Sequence, residues 1–127
     1  MAATTRTRPI RAVVIDDATD IRELLSLVLT RSGMDVVGEA GDGRAGVDVV
    51  RAERPDVVLL DLSMPVMDGV EALPLIRELV PDAQIIVLSA FAGALTEQVL
   101  EGGADGYLPK GTPLRQIVAY VEEKIRA

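Results

Sequence analysis

The sequence predicts an α/β domain built on one parallel sheet wrapped by helices. Three observations carry that expectation. Five short apolar runs alternate with five segments whose apolar residues recur at helical spacing, the pattern of repeated strand–helix units joined by right-handed crossovers. Two of the runs, Ala12-Val13-Val14-Ile15 and Val57-Val58-Leu59-Leu60, end directly in aspartate, where open parallel sheets place their ligands. The length, 127 residues, suits a single domain that buries roughly two thirds of its unfolded surface.

Taken in order, the first strand reads as Ala12–Ile15 and delivers the acidic pair Asp16-Asp17. The first helix, about Thr19 to Ser32, sets Ile21, Leu24, Leu25, Val28 and Leu29 on one face and stops at Gly33. The second strand is Asp35–Ala40, and a glycine-containing loop, Gly41 to Gly46, leads into the second helix. The third strand, Val57–Leu60, is followed by Asp61 and then by a helix from about Gly69 to Val80. Pro74 falls inside that helix, removes a hydrogen bond and should bend it. The fourth strand, Ile85–Ser89, precedes a short helix near Leu95 to Glu101; Gly93 and Gly102-Gly103 beside it predict the loosest element of the fold. The fifth strand, Gly106–Leu108, precedes Lys110. The last helix, about Pro113 to Arg126, opens with proline in its first turn and repeats the apolar stripe in Leu114, Ile117, Val118, Val121 and Ile125. These stripes are core. No repeat or linker divides the chain, so residues 11–127 read as one domain behind a short basic tail, residues 1–10.

Composition removes whole classes of chemistry. With no cysteine, there are no disulfides, thiolate nucleophiles or thiolate zinc sites; with no histidine, there is no Ser-His-Asp triad and no imidazole metal ligand. Any metal must be held by oxygen, which selects Mg²⁺, Ca²⁺ or Mn²⁺. A net charge of −7 opposes nonspecific nucleic-acid binding, and Phe91, Tyr107 and Tyr120, the three aromatics, are too few for a base-stacking platform. No apolar run approaches the ~20 residues that span a bilayer, and the start carries arginines without an apolar segment, so neither membrane nor secretion is expected and the location is read as cytoplasmic.

Strands one, three, four and five thus end in Asp16-Asp17, Asp61, Ser89 and Lys110. Any one polar strand end is commonplace, because strands end where the chain meets water. Four at the same edge supply a metal site, a nucleophilic carboxylate, a hydroxyl and a positive charge, a set suited to an acyl phosphate. Three clustered carboxylates repel one another and need a cation or protons.

In this order and spacing, Val14-Ile15-Asp16-Asp17, the run Asp61 to Gly69 (DLSMPVMDG), Leu88-Ser89-Ala90 and the run Gly103 to Lys110 (GADGYLPK) resemble the receiver domain of two-component response regulators, from Arg11 to Ile125. The resemblance implies a flavodoxin-like, doubly wound five-stranded sheet of order 2-1-3-4-5. It implies that Asp61 accepts a phosphoryl group from a histidine kinase or phosphotransfer protein. Asp17 and Asp61 would bind Mg²⁺ directly, Asp16 mainly through a water, and the Ser63 carbonyl would complete the protein ligands. Lys110 would hold the phosphoryl oxygens, Ser89 would turn toward them, and Tyr107 would follow as the aromatic switch. Ser63 and Phe91 resemble positions that tune dephosphorylation. Many receivers carry a cis-proline after the lysine, where this chain has Gly111; Pro109 stands before it instead.

Two rival readings share parts of this pattern. Gly41-Asp42-Gly43-Arg44-Ala45-Gly46 fits a dinucleotide fingerprint, but it would lie at an edge strand away from the switch point, with no sixth strand to complete that fold. A flavin-binding relative of the same topology would need a hydroxyl-rich phosphate loop after the first strand, where Asp16-Asp17 would repel phosphate. A third reading keeps the fold as a docking module that is never phosphorylated. The expectation is therefore a phosphorylation-controlled switch rather than a conventional enzyme, with no output module among these residues. Its output is assigned to the face of the fourth helix, fifth strand and fifth helix, carrying Glu97, Glu101 and Arg115, with an unknown downstream protein or a second copy as the occupant.

Overall fold

The computed structural model describes residues 8–64, 66–90 and 96–126. Its element order is β1 (Arg11–Ile15), α1 (Thr19–Arg31), β2 (Asp35–Ala40), α2 (Gly43–Glu53), β3 (Val57–Asp61), α3 (Gly69–Leu79), β4 (Gln84–Ser89), α4 (Thr96–Glu101), β5 (Gly106–Pro109) and α5 (Leu114–Arg126). The five strands pair in parallel in the order β2-β1-β3-β4-β5, as expected.

Strand periodicity sorts the core into two layers. Val13, Ile15, Val58, Leu60, Ile85 and Val87 meet Val47 and Val50 of α2, Leu73 and Ile76 of α3, and Val99 of α4. Their neighbours Ala12, Val14, Val57, Leu59, Ile86 and Leu88 face the other way, against Leu25 and Leu29 of α1 and Ile117 and Val121 of α5. Both faces of β3 are buried along its whole length, which explains why its sequence is apolar without alternation. At the end of α1, Gly33 adopts φ +99°, the left-handed conformation that stops a helix cheaply in glycine.

Two local expectations are corrected. The Gly41 to Gly46 segment is not a loop throughout: α2 begins at Gly43, and Asp42 caps it by accepting from the Ala45 N–H at 2.8 Å. The glycines serve close packing, since a Cβ on Gly43 would lie 2.1 Å from the Met67 carbonyl oxygen and one on Gly46 would lie 2.7 Å from Ile15. That leaves no cradle for a dinucleotide phosphate. At the other end, α5 starts at Leu114 rather than Pro113, whose carbonyl already accepts from the Gln116 and Ile117 N–H groups. The third helix runs continuously through Pro74 from Gly69 to Leu79. The positions Gly93, Leu95 and Phe91 lie outside the described residues.

Candidate functional site

Sheet register builds the site. Ile15 pairs with Leu60, so Asp16 and Asp61 emerge side by side from adjacent central strands. Asp61 in turn pairs with Leu88, next to Ser89, and Ser89 pairs with Pro109, next to Lys110. Asp16, Asp61 and Ser89 are 1%, 2% and 0% exposed, whereas Asp17 is exposed at the rim. The Asp16 carboxylate is oriented by its own turn, accepting from the Ala18 N–H at 2.9 Å. Arg22 on α1 donates to the Asp16 main-chain carbonyl at 2.7 Å and to Glu39 at 3.2 Å, fixing the loop that carries both acidic residues. The sequence reading missed Arg22; its signal was a cation within the first two turns of the helix that follows an acidic pair.

Lys110 reaches across the site. Its Nζ lies 3.2 Å from Oδ2 of Asp16 and 3.2 Å from Oδ2 of Asp61. The Asp61 Oδ1 atom accepts from the Ser63 N–H at 3.2 Å, but Oδ2 has no directed hydrogen-bond partner among the described residues. Its partner is Lys110, in the 3.2 Å ion pair. Burial raises the Asp61 pKa above the ordinary carboxylate range, and the negative charge of Asp16 raises it further; the Ser63 N–H and Lys110 only partly oppose this. For Lys110, burial alone would favour the neutral amine, yet the fields of Asp16 and Asp61 outweigh it and hold the ammonium more firmly than usual.

The site carries more negative charge than it can balance. One carboxylate oxygen from each of Asp16, Asp17 and Asp61 lies within 4.8 Å of the others. An all-oxygen donor set, half sunk in the protein and with an orphaned buried oxygen, fits a small hard divalent cation. Ser63 is exposed two residues beyond Asp61. Tyr107, on β5, is partly buried and packs against the α2–α3–α4 side of the core. The Lys110–Gly111 peptide is trans, as are all peptide bonds of the described residues.

The family model of the response regulator receiver domain matches residues 12–122. The chain belongs to that family. Receivers bind Mg²⁺ through an aspartate cluster of the kind found here. The chain is 38% identical over 120 residues to the response regulator MprA of Mycolicibacterium vanbaalenii, covering 93% of this chain and 51% of that protein. It thus spans about half the length of that relative. Among solved structures, the receiver domain of the response regulator NarL from Mycobacterium tuberculosis matches with a TM-score of 0.87 and 34% identity, covering 94% of this chain and 98% of the other. CheY in the CheX–CheY–BeF₃–Mg²⁺ complex of Borrelia burgdorferi matches with a TM-score of 0.87 and 27% identity, over 92% of this chain and 90% of that one. As a receiver the molecule is a phosphorylation-controlled switch, and among its described residues no helix is long and apolar enough to cross a membrane.

Proposed function

We propose that this receiver accepts its phosphoryl group on Asp61, from a histidine kinase or phosphotransfer protein, with Mg²⁺ bound by Asp16, Asp17, Asp61 and the Ser63 carbonyl. The observation that carries this reading is Asp61 Oδ2: buried, 3.2 Å from Lys110 and without a directed hydrogen bond. A carboxylate oxygen left in that condition is a nucleophile waiting for an electrophile. It attacks phosphorus in line, and the bond from phosphorus to the donor nitrogen breaks with its electron pair leaving on the imidazole. Mg²⁺ supplies neutralisation of the three carboxylates and of the incoming phosphoryl charge. Lys110 exchanges part of its pairing with Asp61 for a phosphoryl oxygen, and the Ser89 hydroxyl donates to another.

Output follows from that exchange. Ser89 and Lys110 sit at the ends of β4 and β5, and Tyr107 lies on β5 three residues before Lys110. We assign the responding surface to α4, β5 and α5, where a downstream protein or a second copy docks; the domain is taken as residues 11–127 and its setting as cytoplasmic. The chain's own chemistry is confined to gaining and losing this phosphoryl group. Incubation with acetyl phosphate and Mg²⁺, followed by mapping of the adduct by mass spectrometry, should place it on Asp61. Full labelling of Asp61→Asn would sink the assignment. Hydrogen exchange with beryllofluoride should change most across residues 89–111, and changes confined to α2 and α3 would move the output face.

A further inference from the structure

Arg22 stands outside the proposed phosphoryl transfer, yet it grips the loop that carries two of the three clustered carboxylates. Its Nη1 donates to the Asp16 main-chain carbonyl at 2.7 Å, and its Nε donates to Glu39 at 3.2 Å. That carbonyl belongs to the peptide joining Asp16 to Asp17, so the bond sets the plane of the link between them. The remaining Asp16 groups are held by main chain. Its N–H donates to the Ala40 carbonyl at 3.0 Å, and its carboxylate accepts from the Ala18 N–H at 2.9 Å. Asp17 is exposed, so packing does little to fix where its carboxylate points. Its direction depends on the peptide that Arg22 holds. Glu39 neutralises the guanidinium, so Arg22 brings little net charge to compete with a cation.

Gly41 belongs to the same arrangement. A Cβ there would lie 3.3 Å from Nη1 of Arg22, and nothing else among the described residues, chain neighbours apart, would lie within 4 Å. Its φ is outside the left-handed region, so the backbone does not call for glycine; the guanidinium takes the room. We infer that Arg22, seated over Gly41, is a positioning residue for the acidic site. It holds the Asp16–Asp17 peptide in the orientation that lets both carboxylates serve one divalent cation. The inference rests on that cluster holding the ion and adds the residue that orders it. Groups that orient a metal's ligands are worth about ten- to a hundredfold in affinity, and Arg22, acting through main chain, belongs at the lower end.

The test titrates Mn²⁺, which suits the same oxygen donors, and reads the free ion by electron paramagnetic resonance. The proteins are the unaltered chain, Arg22→Met, Gly41→Ala, the double variant and Asp17→Ala. Arg22→Met should bind about tenfold more weakly. It leaves Glu39 unneutralised, which by charge alone would tighten binding, so weakening carries the sign of lost orientation. Gly41→Ala should weaken binding to a smaller extent and cost nothing further once Arg22 is replaced. Equal or tighter binding by Arg22→Met overturns the inference, as does a Gly41→Ala penalty that persists in full without Arg22. If Arg22→Met does not fold, Gly41→Ala decides alone, and binding equal to that of the unaltered chain overturns the inference. Loss of binding in Asp17→Ala with Arg22→Met unaffected removes the role of Arg22 and leaves the ion site standing. Unchanged binding by Asp17→Ala, or none by the unaltered chain, removes both.

Discussion

The two edges of the sheet treat their charged groups in opposite ways. At the amino-terminal edge the charges are matched. Arg77 on α3 donates to Asp105 at 2.9 Å and to the carbonyls of Gly103, Val80, Pro81 and Ala83, with only its Nε left over. The same Asp105 carboxylate accepts from the Ile85 N–H, and its carbonyl from Lys124. Asp56 pairs with Arg8 and caps the start of β1 through the Arg11 N–H, while Arg11 itself pairs with Glu53. At the carboxyl-terminal edge Lys110 pairs with two of three clustered carboxylates, Asp16 and Asp61, while Asp17 stands exposed at the rim. The contrast teaches what each edge is for. One ties strands, helix ends and loops together; the other holds a surplus of negative charge.

Breaking the matched edge should have the largest effect. Arg77→Met leaves Asp105 and several carbonyls without their donor in a partly buried setting, for a cost of about 3 kcal/mol and a fall in Tm of about 10 °C. Thermal melting checks it, and a loss under 1 kcal/mol would mean that the clamp is decorative.

The unbalanced edge should gain from a cation. Mg²⁺ at one hundred times its Kd should add about 2.7 kcal/mol, and Asp17→Ala should remove most of that shift. An undiminished shift in the variant would place the ion elsewhere.

Removing charge at the same edge should stabilise. The native Asp61 pKa lies above its ordinary 3.8, so its contribution to stability is complete below that value and is lost as pH rises through the native pKa. Without Mg²⁺, Asp61→Asn should therefore be more stable than the parent by about 1 kcal/mol at pH 7, with the difference closing as pH falls toward 4. Urea titrations at both pH values decide it, and a variant less stable at pH 7 refutes the picture of strain.

The smallest effect concerns backbone. Among the described residues, the two non-glycines with positive φ stand one at each edge. Arg54, φ 46°, donates to the Leu79 carbonyl at 2.8 Å, while Val66, φ 68°, is 81% exposed in the loop after Asp61. A β-branched residue in this conformation is strained. Val66→Gly should stabilise by about 0.5 kcal/mol, and Arg54→Gly should be neutral or slightly destabilising. Equal responses would erase the distinction between the edges at the level of the chain itself.

The residues that ended strands were the legible part. Asp16, Asp61, Ser89 and Lys110 follow apolar runs, and a parallel sheet brings such residues together whatever the details of packing. What stayed hidden depends on contacts far apart in sequence. Gly43 looks like a loop residue until Met67 comes within reach of it, and Arg22 looks like one more solvated helix charge until it meets the Asp16 carbonyl. Pro113 reads as the first residue of the last helix, but the helix begins one position later, with the Pro113 carbonyl as its first acceptor.

The Gly43 N–H bond to the Met67 carbonyl, 2.9 Å long, has a mechanical consequence. It fastens the far bank of the loop after Asp61 to the first turn of α2, at a point where no side chain can intervene. The loop after Asp61 and the start of α2 are thereby joined through main chain alone, so a substitution of either side chain cannot cut the tie without also moving backbone.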